Sequence, residues 1–280
     1  MPELPEVETI ARVLSDGKGE YQTSIIGCSI KNAQVKWART IAIPSPEEFS
    51  ERIKEQIITA LTRRGKFLVF SLSRDAMLVH LRMSGDLRVE DHLDQGGEPI
   101  PLDKHDRMAL ILNNGQRLVF NDTRKFGRVW LVADAGEVTG DLGPEPLENS
   151  LTAEKFHKVL AARKRQLKPL LMDQSFLAGL GNIYTDEALH LAQLHPLAIA
   201  SELSEGDARR LLDAIRVVLK EGIRRNGASI DWVYKGGDFQ NHFRAYGRTG
   251  EPCPECGTPI ERMVVGQRGT HICPTCQPLA

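Results

Sequence analysis

The pattern of apolar residues changes once along the chain, and that change constrains the fold more than any other feature. From about residue 23 to residue 134 apolar residues come in short or alternating runs, at Ile25–Trp37, Ile57–Leu72, Met77–Leu81 and Met108–Leu112. Turn residues separate several of these runs, so the region reads as a β-sandwich. Asn114-Gly115 joins LILN to QRLVF and predicts a hairpin closed by a type I′ turn, which needs positive φ at both central positions. After residue 150 the spacing becomes helical, with candidates at Leu151–Ala162 and from Lys168–Met172. Ser204 with Asp207 opens a long amphipathic helix whose stripe is Leu211, Leu212, Ile215, Val218, Leu219 and Ile223, and Gly227 is its stop. A short helix also opens the chain, where Leu4, Val7, Ala11 and Leu14 share one face and Pro5 suits the first turn. The stretch Val132–Ser150, rich in Gly, Pro, Asp and Glu, reads as a linker. The expected class is therefore α+β. Its expected domains are 1–134 (β-sandwich), 135–150 (linker), 151–246 (helical) and 247–280 (a cysteine module).

That last module carries the most specific signal. Cys253-Pro-Glu-Cys256 and Cys273-Pro-Thr-Cys276 stand 16 residues apart, a spacing that brings two thiolate pairs to one tetrahedral zinc ion. Four thiolates close the coordination shell, so one structural Zn2+ is expected, holding a segment too short to make its own core. A redox dithiol pair would call for a βαβ setting, and none surrounds the motif. Cys28, the fifth cysteine, reads as a small buried hydrophobe in a strand. Between the pairs, Ile260–Ile272 forms a hairpin candidate carrying Arg262, Arg268 and His271. Such a hairpin can present one cation to a phosphate, and by type alone it is a solvated loop.

Charge offers no shortcut. Lys and Arg number 36 against 37 Asp and Glu, so a nucleic-acid surface has to be a local cluster. No basic flank with an apolar run opens the sequence, and no run approaches the roughly 18 apolar residues of a membrane span. A cytoplasmic protein without membrane contact is expected.

The amino terminus is a chemical group in its own right. Removal of Met1 would leave Pro2 as a secondary amine. A terminal amine has a reference pKa of about 7.7–8.0 against about 10.4 for lysine, so far more of it is free base at neutral pH. Such an amine can attack a sugar C1′, and its iminium adduct, with a fixed positive charge, is an electron sink for elimination. Glu3 and Glu6 lie on one side of a helix and can act as acid/base partner and electrostatic support. By spacing alone they are also ordinary anions in a first helical turn.

The opening Met1-Pro2-Glu3-Leu4-Pro5-Glu6-Val7-Glu8-Thr9 resembles the start of bacterial formamidopyrimidine-DNA glycosylases. The resemblance continues through Arg63-Arg64-Gly65-Lys66-Phe67, His80-Leu81-Arg82-Met83-Ser84-Gly85, Asn121-Asp122-Thr123-Arg124-Lys125-Phe126-Gly127 and Leu142-Gly143-Pro144-Glu145-Pro146-Leu147. It ends with Gly179-Leu180-Gly181-Asn182-Ile183-Tyr184, Tyr246-Gly247-Arg248, the four cysteines and Arg268. It implies an N-terminal β-sandwich, a helix-two-turn-helix domain and a C-terminal β-hairpin zinc finger. It further implies a monomeric base-excision-repair enzyme that removes oxidised purines, 8-oxoguanine and formamidopyrimidines, from damaged double-stranded DNA. AP lyase β,δ-elimination would follow through a Schiff base on Pro2. Pro2 would be the nucleophile, Glu3 the acid/base partner and Glu6 its support. Lys66 would bind phosphate and assist β-elimination, and Arg268 would do so for δ-elimination. Met83, Arg124 and Phe126 would fill the gap left by the extruded base, with His80, His105, Lys164 and Asn182 as further DNA contacts.

By residue type alone Met83 and Phe126 are core residues, Arg124 and Lys125 a solvated hairpin end, and Lys66 an edge-strand lysine. The run Gly179–Tyr184 lacks the third glycine and the preceding strand of a dinucleotide site. Ser229–Phe243, with Asp231, Trp232, Tyr234, Lys235 and Phe239, falls where a loop over the damaged base is expected, and Gly237-Asp238 suits a lid. Two other functions compete. An endonuclease VIII-type enzyme would prefer oxidised pyrimidines, but that family usually has Gly where this chain has Leu4. A non-catalytic zinc-finger DNA-binding protein would have no need of Pro2, Glu3 and Lys66.

Overall fold

The computed structural model describes residues 1–17, 24–229 and 236–279. The chain divides into two compact units. One holds Met1–Pro2 and Glu6–Asp141, and the other holds Glu3–Pro5, Leu142–Ala228 and Gly236–Ala280. Helix α1 (Leu4–Asp16) starts as its apolar face requires. Leu4 enters the core of the second unit, and Val7, Ala11 and Leu14 that of the first. Full burial of such a side chain contributes about 2 kcal/mol.

The first unit contains β1 (Ile30–Val35), β2 (Ile41–Ile43), α2 (Pro46–Arg52), β3 (Ile58–Arg64), β4 (Phe67–Leu72) and β5 (Ala76–His80). Strands β6 (Gly85–Asp91), β7 (Asp106–Leu112), β8 (Gln116–Asp122) and β9 (Arg128–Val132) follow, then the single turn α3 (Gly136–Thr139) within the expected linker. A four-stranded sheet of order β1-β7-β8-β6 and a five-stranded sheet of order β2-β9-β5-β4-β3 make up its β structure. One core joins the two sheets: Ile30, Leu87, Leu110 and Phe120 from one meet Ile58, Phe70, Val79 and Leu131 from the other. This is the expected sandwich.

Two local expectations need correcting. The β7–β8 hairpin forms, with Ile111 opposite Arg117, but only Gly115 has positive φ (+84°). Asn114 keeps negative φ because its side-chain oxygen accepts the Gln116 N–H at 3.1 Å, which favours a longer loop with a left-handed glycine over type I′. Cys28 is buried as expected, but it precedes β1, in a turn fastened by Gly27 N–H donating to the Ile58 carbonyl (2.8 Å).

The second unit contains α4 (Ala153–Ala161), α5 (Leu167–Leu171), α6 (Asn182–Ala192), α7 (Glu205–Arg224) and the hairpin β10 (Glu261–Val265)–β11 (Arg268–Ile272). Helix α7 shows the expected capping box, Ser204 and Asp207 each taking the other's backbone N–H. Its stripe from Leu211 to Leu219 is buried, and it ends before Asn226 and Gly227, both at positive φ. Helix α6 is buried almost all round, polar residues included. The β10–β11 turn is Gly266-Gln267, both at positive φ, the two-residue geometry that matches strand twist. Among the described residues no helix is long and apolar enough to cross a membrane.

Ser204→Ala removes one half of the capping box. It should lower stability by about 1 kcal/mol in urea unfolding; an unchanged midpoint would show that the box is not stabilising.

Candidate active site and nucleic-acid interface

Glu3 is 2% exposed, and its carboxylate caps a helix far along the chain. It accepts N–H bonds from Gly181 (2.6 Å), Ile183 (3.0 Å) and Tyr184 (3.4 Å), at the start of α6. These are N–H groups that a helix start leaves without intrahelical partners, and the helix dipole there favours an anion. Glycine is required beside it, since a Cβ at Gly181 would lie 2.5 Å from Glu3 Oε1 and one at Gly179 2.6 Å from Leu4 Cδ1. The Leu4 N–H also donates to the Gly179 carbonyl (3.0 Å). The Gly179–Tyr184 turn is thus a socket for Glu3 and Leu4. Pro2, bonded to Glu3, is buried, and Glu6 is 3% exposed in the first turn of α1.

In the first unit, two exposed loops are tied to one buried carboxylate. Asp122 accepts from the Ser84 hydroxyl, the Arg124 N–H (3.1 Å) and the Gly127 N–H (2.7 Å). Its own carbonyl takes the Arg107 Nε proton at 2.6 Å, and Arg107 also reaches His105 Nδ1 at 3.3 Å. Met83 and Phe126 are 40% and 53% exposed, so neither is a core residue. Arg124 lies against the Met83 sulfur at 3.2 Å. Lys125 sits over the Trp37 ring, 4.0 Å from its centroid. Lys66 is 5% exposed in the β3–β4 turn, which excludes a solvated edge lysine. His80 ends β5, packs edge-on against Phe67 and accepts the Arg82 N–H at Nδ1 (3.0 Å). Burial, then the charges of Arg82 and Lys66, push its pKa down to about 3, so it is a neutral imidazole.

In the second unit, α6 sends three polar side chains to the cysteine module and a fourth, Glu187, to the segment just before it; nothing in the sequence singled out Asp186, Glu187 or His190. Asn182 donates to the Gly269 carbonyl at 3.1 Å. Asp186 accepts from Lys168 Nζ at 2.6 Å and from the His271 N–H at 3.0 Å. Glu187 accepts the N–H groups of Arg244, Ala245 and Tyr246; burial raises its pKa and those three bonds oppose the rise. His190 Nε2 lies 3.3 Å from Cys253 Sγ. Lys168 is fully buried, and its pKa is lowered by that burial against the pull of Asp186. Arg268 is exposed at the start of β11, and Lys164 is exposed between α4 and α5. Of the expected lid, residues 230–235, which include Asp231, Trp232, Tyr234 and Lys235, lie outside the described residues. Phe239 is buried, stacked on Tyr184 with ring centroids 5.1 Å apart.

The sulfurs of Cys253, Cys256, Cys273 and Cys276 all lie within 4.8 Å of one another. Tetrahedral Zn–S bonds of about 2.3 Å place sulfurs about 3.8 Å apart. The Cys253–Cys276 and Cys256–Cys273 separations are 3.9 and 3.4 Å, so the residues fit zinc. With its four donors all thiols, the site is structural.

The formamidopyrimidine-DNA glycosylase N-terminal domain matches residues 1–129, and the H2TH domain of the same enzymes matches residues 142–233. A zinc finger found in FPG and IleRS matches residues 250–279. The chain belongs to the formamidopyrimidine-DNA glycosylase family. It is 42% identical to the formamidopyrimidine-DNA glycosylase of Protochlamydia amoebophila over 99% of both chains. Its identity to that of Chloroflexus aurantiacus is 43%, over 99% of this chain and 98% of the relative. Among solved structures, a complex between wild-type Lactococcus lactis Fpg and DNA containing N7-benzyl-Fapy-dG matches 99% of this chain and all of that one. Its TM-score is 0.89 at 34% identity. A complex of MutM with DNA containing carbocyclic 8-oxo-G matches at TM-score 0.88 and 35% identity, over the same shares.

Gly181→Ala should push the Glu3 carboxyl out of its socket and cost about 1–3 kcal/mol in denaturant unfolding, the penalty of an unmade buried hydrogen bond. Gly206→Ala in α7, where the nearest atom is 3.6 Å away, should instead be neutral or stabilising; equal effects would refute the socket. His80 adds a pH term. Its pKa is depressed, so the unfolded chain takes up a proton that the folded one refuses, and stability falls as pH drops from about 6.5 towards 3. Between pH 7 and 5 that amounts to about 2 kcal/mol, which His80→Gln should abolish in parallel denaturant titrations.

Proposed function

We propose that this protein removes oxidised purines, formamidopyrimidines and 8-oxoguanine, from duplex DNA and then cleaves the abasic strand through a covalent intermediate on Pro2. The observation that carries this reading is the Glu3 socket: the carboxylate bonded next to Pro2 is held by three N–H donors, as a group needed at a fixed place would be. The relatives' names and the damaged DNA in the solved neighbours agree with it.

After Met1 is removed, the Pro2 nitrogen forms a bond to C1′ while the glycosidic bond breaks and the base leaves with the bonding electron pair, taking a proton from water. Glu3 takes the proton released from the nitrogen and returns it to O4′ as the C1′–O4′ bond opens, leaving an iminium. Loss of a C2′ proton sends an electron pair into that iminium, and the C3′–O bond breaks with release of phosphate. Loss of a C4′ proton then drives cleavage of the C5′–O bond. Water at C1′ frees Pro2. Glu6 supports the developing positive charge, Lys66 holds phosphate for the first elimination and Arg268 for the second. Extruding a base costs a few kcal/mol of stacking and pairing. Met83 and Phe126, exposed on loops tied to Asp122, are wedges that offset part of it, while Arg124 offers its donors to the orphaned partner base. His80, His105, Lys164 and Asn182 add DNA contacts. In this reading residues 1–134 form the catalytic domain, 151–246 the helical DNA-binding domain and 247–280 the zinc finger. The enzyme works as a monomer in the bacterial cytoplasm, on the nucleoid.

Borohydride trapping on a duplex with 8-oxoguanine opposite cytosine tests the chemistry. The wild type should give a covalent adduct that Pro2→Gly loses. A correctly processed wild type that binds the duplex without being trapped would point to the non-catalytic zinc-finger protein. Faster release of thymine glycol than of 8-oxoguanine would point to the endonuclease VIII-type enzyme.

A further inference from the structure

Arg268 is exposed at the end of a two-residue turn, and among the described residues its guanidinium has no hydrogen-bond partner. Long side chains on tight hairpins are poorly placed unless the backbone beneath them is held. Here it is held from below. The Thr270 hydroxyl donates to the Arg268 carbonyl at 3.0 Å and accepts from Lys168 Nζ at 2.8 Å. Lys168 Nζ spends its other two protons on the Gly269 carbonyl (3.2 Å) and Asp186 Oδ1 (2.6 Å), so all three donors of the ammonium are used. Asp186 Oδ2 takes the His271 N–H, and Asn182 gives a second bond to the Gly269 carbonyl. The Gly269 carbonyl and the His271 N–H are answered by side chains of α5 and α6, and the Arg268 carbonyl by Thr270, whose hydroxyl Lys168 of α5 holds in turn. The Lys168 and Asp186 side chains are both 0% exposed. A buried ion pair is a weak source of stability, because desolvation consumes most of its attraction; what it does well is fix one arrangement.

We propose that Lys168, Asp186 and Thr270 are positioning residues that set the place of Arg268 for the second elimination. The proposal rests on the reading of Arg268 given above. It assigns these three residues no contact with DNA; they act through the hairpin backbone.

The test is the ratio of δ- to β-elimination products on a duplex with a single abasic site, for zinc-loaded full-length protein. Misplacing a contact group by about 1 Å can cost on the order of a hundredfold. Thr270→Val, which keeps shape and loses the hydroxyl, and Asp186→Asn, which keeps size and loses an acceptor, should therefore lower the δ-product by about tenfold or more. The β-product rate, the borohydride adduct and the zinc content should stay as in the wild type. Thr270→Ser, which keeps the hydroxyl, should restore the wild-type ratio, and Arg268→Ala should lower the δ-product at least as far as Thr270→Val does. An unchanged ratio in the folded variants would overturn the proposal, as would β- and δ-products falling together, which would make the network only a scaffold. Should Thr270→Val fail to bind zinc, Asp186→Asn decides by the same criterion. A wild type that stops at the β-product would overturn the reading of Arg268 instead.

Discussion

The bond between one carboxylate and the open end of one helix organises the candidate active site of this chain. Glu3 gives α6 the N-terminal acceptor that Gly181, at its N-cap, cannot supply from a side chain. In return the helix holds the residue bonded to Pro2, the proposed nucleophile. Two glycines make the arrangement possible, one by admitting the Glu3 carboxyl and the other by admitting Leu4. A flexible terminus would carry the same reactive amine, but it would surrender orientation, from which much of the rate advantage of a bound reactant comes.

The same device recurs with other residues. Asp122 in the first unit and Asp186 and Glu187 in the second are buried carboxylates whose oxygens are answered by backbone N–H groups of functional segments. Each converts a loop or hairpin with little core of its own into a defined shape. Around Asp122 this is plainest. Gly85 and Gly127 both pack on the Phe120 ring, where a Cβ would collide, so the two loops close on one aromatic and one acid while Met83 and Phe126 are left outside.

Much of this was legible in the residues, for physical reasons that differ by element. The α7 capping box, the apolar face of α1 and the paired Cys-x-x-Cys motifs are local patterns, and each formed as its spacing required. The type I′ turn at Asn114-Gly115 failed because a side-chain hydrogen bond competed with the backbone preference. Exposure of Met83 and Phe126 could not be read from residue type, which favours burial for both; only the family resemblance indicated it. The contacts of Glu3 with Gly181 and of Lys168 with Thr270 join residues 178 and 102 positions apart, and no periodicity announces them. Asp186, Glu187 and His190 were missed because a buried helix with polar residues on several sides has no legible face.

That helix has one more consequence. Asn182, Asp186, Glu187 and His190 recur about every turn along α6; three of them engage the cysteine module, and Glu187 holds the segment that leads into it. The finger is therefore not an appendage that can fray by itself. Opening it would strip Asn182, Asp186 and His190 of their partners at once, so finger and helix are expected to behave as one cooperative opening unit. Since the first turn of that helix also holds Glu3, disorder spreading from a vacated metal site would travel along α6 towards the residue beside Pro2. A zinc centre without any open coordination position thus has a physical route to the proposed catalytic residues.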